Sequence, residues 1–247
     1  MEGKHIVLSE RLQMLSRMVT PGSRVADVGC DHGFLSIYLV QKGISPGVIA
    51  MDVREGPLAA AGEHVAAHGL GAYIETRISD GLKELKPEEA DTVVCAGMGG
   101  RLMKRILKEN LNKAMLLNEL VLQPQSELRE FREFLRNTGF CITDEDMVQD
   151  EGKYYFAIRA LPERRAAVSE PALPMSDRET YLRLCDKFGE KLLLGHHPVL
   201  ERYLRQQEKI LEQLSTRLSG QSTERTNERL REVEKDLKDV RTALDLF

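Results

Sequence analysis

Residues 25–33 read Val-Ala-Asp-Val-Gly-Cys-Asp-His-Gly, and this stretch decides the fold. Arg24 to Val28 predict a short buried strand. The strand runs directly into a glycine turn, and Phe34, Ile37, Tyr38 and Gln41 follow at helical spacing. A strand, a glycine turn and a helix N-terminus together make a nucleotide cradle. Glycine lets the backbone approach a ligand closely, and the free N–H groups of the first helical turn point at it. The spacing Asp27-x-Gly29-x-x-x-Gly33 departs from the Gly-x-Gly-x-x-Gly of a dinucleotide turn.

Outward from this turn, the chain alternates strands and helices. Upstream, Ser9 is the expected N-cap of an amphipathic helix carrying Leu12, Leu15 and Val19. Downstream, a second strand (48–51) ends at Asp52, and a helix is expected from about Pro57 to His68. A third strand (73–78) leads into Asp80-Gly81, and a fourth (92–95) ends in Ala96-Gly97-Met98-Gly99-Gly100. A fifth (120–122) ends in Gln123-Pro124-Gln125. A helix over 126–138 precedes two last strands, 140–148 and 153–160. The alternation predicts a parallel sheet, and the closing hairpin places one antiparallel strand in it. Seven strands with that hairpin are the methyltransferase version of the doubly wound α/β fold, where an ordinary dinucleotide fold has six parallel strands.

The chain has 247 residues, 42% hydrophobic and 30% charged, and a net charge of −4. No apolar run reaches the roughly 18 residues of a membrane span, and the start lacks a basic-then-apolar leader pattern. A cytoplasmic protein is therefore expected. The cysteines, Cys30, Cys95, Cys141 and Cys185, form no Cys-x-x-Cys pair, so reduced thiols and no metal site are expected. Residues 1–160 carry 19 Lys and Arg against 23 Asp and Glu, and the remainder carries 16 of each. Any nucleic-acid contact must then come from a local patch rather than a global basic field.

Composition shifts near residue 161, which predicts a domain over 1–161 and a helical domain over 162–247. In the second, Ser176-Asp177-Arg178-Glu179 reads as a capping box. Leu200, Leu204, Gln207, Leu211, Leu214 and Leu218 recur at steps of about 4 and 3. Thr226, Leu230, Val233, Leu237, Val240 and Leu244 repeat the pattern after a polar break at 219–223. Two narrow heptad stripes joined by a short turn predict an antiparallel coiled-coil hairpin.

In an open α/β sheet, ligands sit at the carboxyl ends of the strands. Asp52 lies about 20 residues past the glycine loop, where an acid accepts ribose hydroxyls. Asp80 is suited to an adenine amine, and Asp27 to the loop or to a cationic ligand. Gly29, Gly33, Gly81, Gly97 and Met98 complete the expected cofactor contacts, the glycines around Met98 leaving backbone groups open to a ligand. His32 stands in the loop itself, while His64, His68, His196 and His197 show no comparable setting. Cys30 and Cys95 read as small packing residues. Arg101, Lys104, Arg105 and Lys108 put four cations on one helix face without interleaved acids, which suggests a phosphate-backbone contact.

The chain resembles the TrmK family of bacterial tRNA adenine-N1 methyltransferases, which modify adenine 22. The resemblance rests on Leu8-Ser9 with Arg11-Leu12, Ala26-Asp27-Val28-Gly29 with Asp31-His32, and Ala96-Gly97-Met98-Gly99-Gly100. Leu122-Gln123-Pro124, the Asp150–Tyr154 turn and the helical tail complete it. It implies an S-adenosylmethionine (SAM)-binding Rossmann-like domain with a C-terminal coiled coil, and a tRNA substrate. Asp31 and His32 are then expected at the methyl-transfer centre and Gln123 beside the substrate. The Asn/Asp-Pro-Pro-Tyr/Phe signature of exocyclic-amine methylation is absent, which favours ring N1 over N6. Other readings stay open: a SAM-dependent enzyme acting on another RNA, a protein or a small molecule, an NAD(P)-dependent oxidoreductase, or a non-catalytic coiled-coil adaptor. The oligomeric state is open, a monomer included.

Overall fold

The computed structural model describes residues 6–165, 177–220 and 223–247. The chain divides into two compact units, Met1–Ser169 and Glu170–Phe247.

The first unit opens with α1 (Glu10–Met18), β1 (Val25–Val28), α2 (Phe34–Gln41), β2 (Val48–Asp52) and α3 (Glu55–Ala67). It continues through β3 (Ile74–Ile78), β4 (Thr92–Met98), α4 (Gly100–Glu109), α5 (Leu111–Ala114) and β5 (Glu119–Pro124). It ends with α6 (Leu128–Asn137), β6 (Phe140–Asp150) and β7 (Lys153–Pro162). These strands form one sheet in the order β3-β2-β1-β4-β5-β7-β6. β1 pairs in parallel with β2 on one side and β4 on the other, while β7 runs antiparallel to both β5 and β6. Strand order therefore reverses between β1 and β4, and a crevice opens beyond their carboxyl ends.

β1 and β5 are buried at every position, as expected of strands covered on both faces. Val25, Ala50, Val94 and Val121 face Leu15, Ile37, Leu39 and Ala61 on one side. Ala26, Met51, Val93 and Leu120 face Met103, Leu107, Phe131 and Leu135 on the other. α4 and α6 bury only one stripe each, which fits their charged outer faces.

Three local details refine the expectation. Ser9 stands at the N-cap of α1, but its side chain makes no capping bond. α3 begins two residues ahead of Pro57, which sits in the first turn where its missing N–H has no helical partner to lose. β4 runs on to Met98, and its pairing with β5 shifts register between Ala96 and Met98, a bulge of the kind that re-aims side chains next to sites.

The second unit holds α7 (Arg178–Phe188), α8 (Glu190–Leu194), α9 (Pro198–Ser219) and α10 (Glu224–Leu244). Asp177 caps α7, its carboxylate accepting the N–H groups of Glu179 and Thr180. Ser176 of the expected capping box lies outside the described residues. Every residue of the two leucine-rich stripes on α9 and α10 is buried or half-buried. Arg241 of α10 donates to Glu208 and Glu212 of α9. Buried Asp239 of α10 accepts from Arg183 and Lys187 of α7. No helix among the described residues is long and apolar enough to cross a membrane.

Candidate active site

At the end of β1 the backbone turns through left-handed conformations at Gly29 (φ 75°), Asp31 (φ 50°) and Gly33 (φ 73°) before α2 begins. The N–H groups of Gly29 and Cys30 both donate to the carbonyl of Met51, at 2.8 and 2.9 Å, and tie the turn to β2. A Cβ on Gly29 would lie 2.2 Å from Met98 Cε. A side chain at Gly29 would therefore have to displace the end of Met98, at the end of β4, as well as adopt a left-handed φ.

Asp52, 4% exposed, ends β2 beside the turn. One of its carboxylate oxygens accepts the Asp31 N–H at 3.4 Å and the other the Arg54 N–H at 2.9 Å. The acid expected at a ribose therefore also anchors the turn. Asp27, equally buried, accepts the Ser36 hydroxyl at 2.7 Å. Burial pushes its carboxyl up to about 6, the Ser36 bond pulls it down, and neighbouring Asp52 adds to the rise. Asp80 receives Lys83 at 2.6 Å and Arg105 at 3.3 Å. The Lys83 hydrogen bond holds its carboxyl below the usual range.

These groups surround a cleft of about 500 Å³, within the size range of small-molecule sites. Asp27, Gly29, Asp31, His32, Asp52, Asp80, Gly81, Gly97, Met98 and Arg105 line it. His32 is half-exposed at the rim, with its Nε2 3.9 Å from Asp31 Oδ1. Burial raises the thiols of Cys30 and Cys95, the latter to about 12. Neither is a ready thiolate, in keeping with a packing role.

Several expected contacts fall elsewhere. Gly33 does not line the cleft. It starts α2, and a Cβ there would lie 3.1 Å from Ala61 Cβ on α3, so its service is helix packing. Gln123 is fully buried and does not line the cleft. β5 continues to Pro124, which keeps Gln123 inside the sheet, where its Oε1 accepts from Gly97 N–H and Arg11 at 3.1 Å each. The glycine cluster is less open than expected, because Gly97 N–H bonds to Gln123 and Gly100 N–H to the Ser126 carbonyl. A Cβ on Gly100 would lie 2.4 Å from that carbonyl oxygen, a packing reason for the last glycine. The basic face of α4 does meet acids: Arg101 pairs with Glu127 and Arg105 with Asp80. Lys104 and Lys108 form no ion pair among the described residues, so the unneutralised part of the face shrinks to these two.

Two residues were missed, Arg11 and His64, and a third, Gln125, was named at a strand end without a role. Arg11 reaches the cleft from α1, its guanidinium 3.1 Å from Gln123 Oε1 and over the Tyr155 ring at 5.6 Å. His64, on α3, stacks on Phe34 at 4.9 Å and hydrogen-bonds the His32 carbonyl through Nδ1, so it belongs with His32 after all. Gln125 lines the cleft past the end of β5. Arg11 and Gln125 lay within or beside the stretches that carry the family resemblance, but only contacts distant in sequence reveal Arg11's place.

A switch-point cleft, a glycine turn and acids at the ends of β1, β2 and β3 define the nucleotide-binding core of a Rossmann-like methyltransferase. Residues 8–158 match a family model described as a methyltransferase domain. A tRNA (adenine(22)-N(1))-methyltransferase of Bacillus subtilis is 36% identical over 148 residues, 60% of this chain. The matched stretch spans 62% of that enzyme's length. Among solved structures, a Streptococcus pneumoniae protein described as a candidate tRNA (m1A22) methyltransferase superposes with a TM-score of 0.81 at 30% identity, covering 96% of this chain and 100% of its own. The same protein has been solved with S-adenosyl-L-methionine, with a TM-score of 0.79, 29% identity and the same coverage. The B. subtilis m1A22 tRNA methyltransferase TrmK gives 0.82 at 27% identity, with 97% and 100% covered. The chain belongs to the TrmK family of methyltransferases.

Proposed function

We propose that this chain transfers a methyl group from SAM to N1 of an adenine in tRNA, at position 22. The carrying observation is the convergence of the Asp27–Gly33 turn, Asp52 and Asp80 on one switch-point cleft, in a chain of this family. The residues present fit the cofactor. Gly29 carries no Cβ where backbone and Met98 close on each other, and two buried carboxylates stand at the cleft wall. Asp52 would accept the ribose hydroxyls, Asp80 the adenine amine, and Asp27 would face the cationic end. Bound SAM supplies a methyl carbon made electrophilic by its sulfonium.

Little else is asked of the side chains. Adenine N1 carries an in-plane lone pair and is unprotonated at neutral pH, so no strong base is needed to expose it. The cleft must align N1, exclude water and tolerate a ring that becomes cationic. Asp31 and His32, at the rim, are placed to meet the incoming base, which must leave its stack to enter. Lys104 and Lys108 would meet the RNA backbone. We also assign residues 1–161 to the catalytic domain and 162–247 to a helical domain whose α9–α10 pair is an antiparallel coiled coil. The continuous burial of both stripes supports that reading.

The test is methyl transfer from labelled SAM to tRNA lacking the modification, followed by nucleoside analysis. A new 1-methyladenosine peak mapping to position 22 is expected. Asp31→Ala and His32→Ala should each abolish turnover and spare the fold, Asp31→Ala with a small loss of melting temperature because its backbone is left-handed (φ 50°). Normal turnover in both variants would remove these two residues from the methyl-transfer centre.

A further inference from the structure

Three arginines line the cleft, and they differ in what neutralises them. Arg54 lies 3.5 Å from Asp52 and 3.9 Å from Asp31. Arg105 lies 3.3 Å from Asp80. Arg11, among the described residues, meets no carboxylate with its guanidinium. Its partners are the neutral Oε1 of Gln123 at 3.1 Å and the face of Tyr155 at 5.6 Å. It is half-buried, and its NH1 would lie 3.5 Å from a Cβ on Gly97, at the cleft wall.

A half-buried guanidinium with no carboxylate paired to it among the described residues gains less from its surroundings than the paired Arg54 and Arg105 do. A guanidinium presents several donors in a planar fork, and Gln123 takes only part of that capacity. Gln123 itself is held at some expense. Its Nε2 is fully buried with no hydrogen-bond partner among the described residues, while its Oε1 takes both Arg11 and the Gly97 N–H. Turning the amide over would set its N–H groups against two donors, so the neighbours fix its orientation. The Asp150 carboxylate accepts the Arg11 backbone N–H at 3.2 Å rather than its guanidinium, so the arrangement holds the guanidinium at the cleft wall with no carboxylate paired to it among the described residues.

We infer that Arg11 is an oxyanion receptor of the cleft, with Gln123 as its positioning residue. The inference rests on the methyl-transfer reading for the identity of the anion. Two sources present the same chemistry: the carboxylate at the amino-acid end of SAM, and a phosphate of the target RNA.

The experiment compares the full-length wild type with Arg11→Gln and Arg11→Lys. It measures calorimetric affinity for SAM and for its decarboxylated analogue, affinity for unmodified tRNA across salt concentrations, and methyl transfer. If the anion is the carboxylate, Arg11→Gln weakens SAM about tenfold or more and leaves the decarboxylated analogue unchanged. If it is a phosphate, both small ligands bind as before, tRNA binding weakens, and the slope of log K against log salt falls by about one. Arg11→Lys keeps the charge without the fork and should fall between wild type and Arg11→Gln. In Gln123→Glu, a carboxylate would neutralise Arg11 while still accepting the Gly97 N–H, and the same affinity should drop. A merely structural role would weaken SAM and its decarboxylated analogue equally. That outcome overturns the inference, as does an Arg11→Gln variant equal to wild type in every arm. A wild type that binds SAM and tRNA but transfers no methyl group breaks the functional reading and leaves the Arg11 comparison decidable from binding. A wild type that binds neither overturns both.

Discussion

The two ends of the sheet treat a buried carboxylate in opposite ways. At the amino end, Glu119 opens β5 and is 2% exposed. Its oxygens receive the Thr20 N–H and the Thr92 hydroxyl on one side, and the Thr20 hydroxyl and Arg159 on the other, all within 2.8 Å. At the carboxyl end, Asp27 is as deeply placed, yet among the described residues it receives one hydroxyl at 2.7 Å. Glu119 is saturated and neutralised, and it sews the turn after α1, β4, β5 and β7 together. Asp27 is left short of donors, and its carboxyl is driven up to about 6. A saturated buried acid marks framework, whereas an undersupplied one marks a place where a ligand completes the set.

The sharpest break of this comparison is Glu119→Ala. It strands Arg159, the Thr20 N–H and hydroxyl and the Thr92 hydroxyl without their acceptor, and loss of one partner of a buried pair costs about 3–5 kcal/mol, with the low end expected because Arg159 is 31% exposed. The urea midpoint should fall steeply, while SAM affinity of the protein that remains folded should hold. A variant that unfolds no more easily than wild type would remove Glu119 from the framework.

Asp27→Asn should act through pH instead. An acid whose folded pKa lies above its unfolded value of 3.8 contributes stability that is fully present below 3.8. That contribution is lost as pH rises through about 6. Over this window, wild type should lose up to about 3 kcal/mol that Asp27→Asn does not lose. The sign for ligand is reversed: a cationic donor prefers the ionised acid, so SAM should bind wild type more tightly as pH rises through about 6, and the variant should show a flat profile. Denaturation and calorimetry at pH 4 to 7 check both slopes.

What the sequence disclosed follows the same division. The acids at strand ends were legible because a strand's end is a local event, marked by an apolar run that stops at Asp52 or at the Val28-Gly29 step. So were the seven strands and the final hairpin, since period and turn residues are local. What escaped were pairings made across the fold. Arg11 and Gln123 are 112 residues apart, and His64 meets His32 across 32. The acids that neutralise Arg101 and Arg105 come from a turn and a strand end that no helical spacing on α4 foretells. Gln123 was misplaced because β5 runs two residues longer than its apolar core. One more strand residue decides whether a polar side chain faces a ligand or a neighbouring strand.

Gly29→Ala should have a smaller effect on stability and a larger one on binding. The left-handed φ of 75° strains any side chain, at about 1–3 kcal/mol. The Met98 methyl 2.2 Å away is the far end of a flexible chain and can move. The expected loss of stability is therefore at the low end, while the displaced Met98 intrudes on the cleft and SAM affinity drops. Equal loss of affinity in Gly22→Ala, whose left-handed glycine has open space around it, would show that backbone strain rather than the cleft carries the effect.

The smallest expected effect contrasts paired with unpaired cations on α4. Lys104→Gln with Lys108→Gln removes two charges that no carboxylate among the described residues neutralises. Arg101→Gln with Arg105→Gln removes two that Glu127 and Asp80 already offset. All four lie on the surface or near it, so neither double variant should move the melting temperature measurably. If the unpaired lysines meet the RNA backbone, their loss lowers the slope of log K against log salt by about two, and loss of the arginines lowers it by less. The arginine variant carries its own signature, because releasing Asp80 from Arg105 frees a carboxylate on the cleft wall and changes SAM affinity before it changes tRNA affinity. An arginine variant with the larger salt effect would mean that the acids open when RNA arrives, and that charge pairing in the free protein does not report which cations the substrate meets.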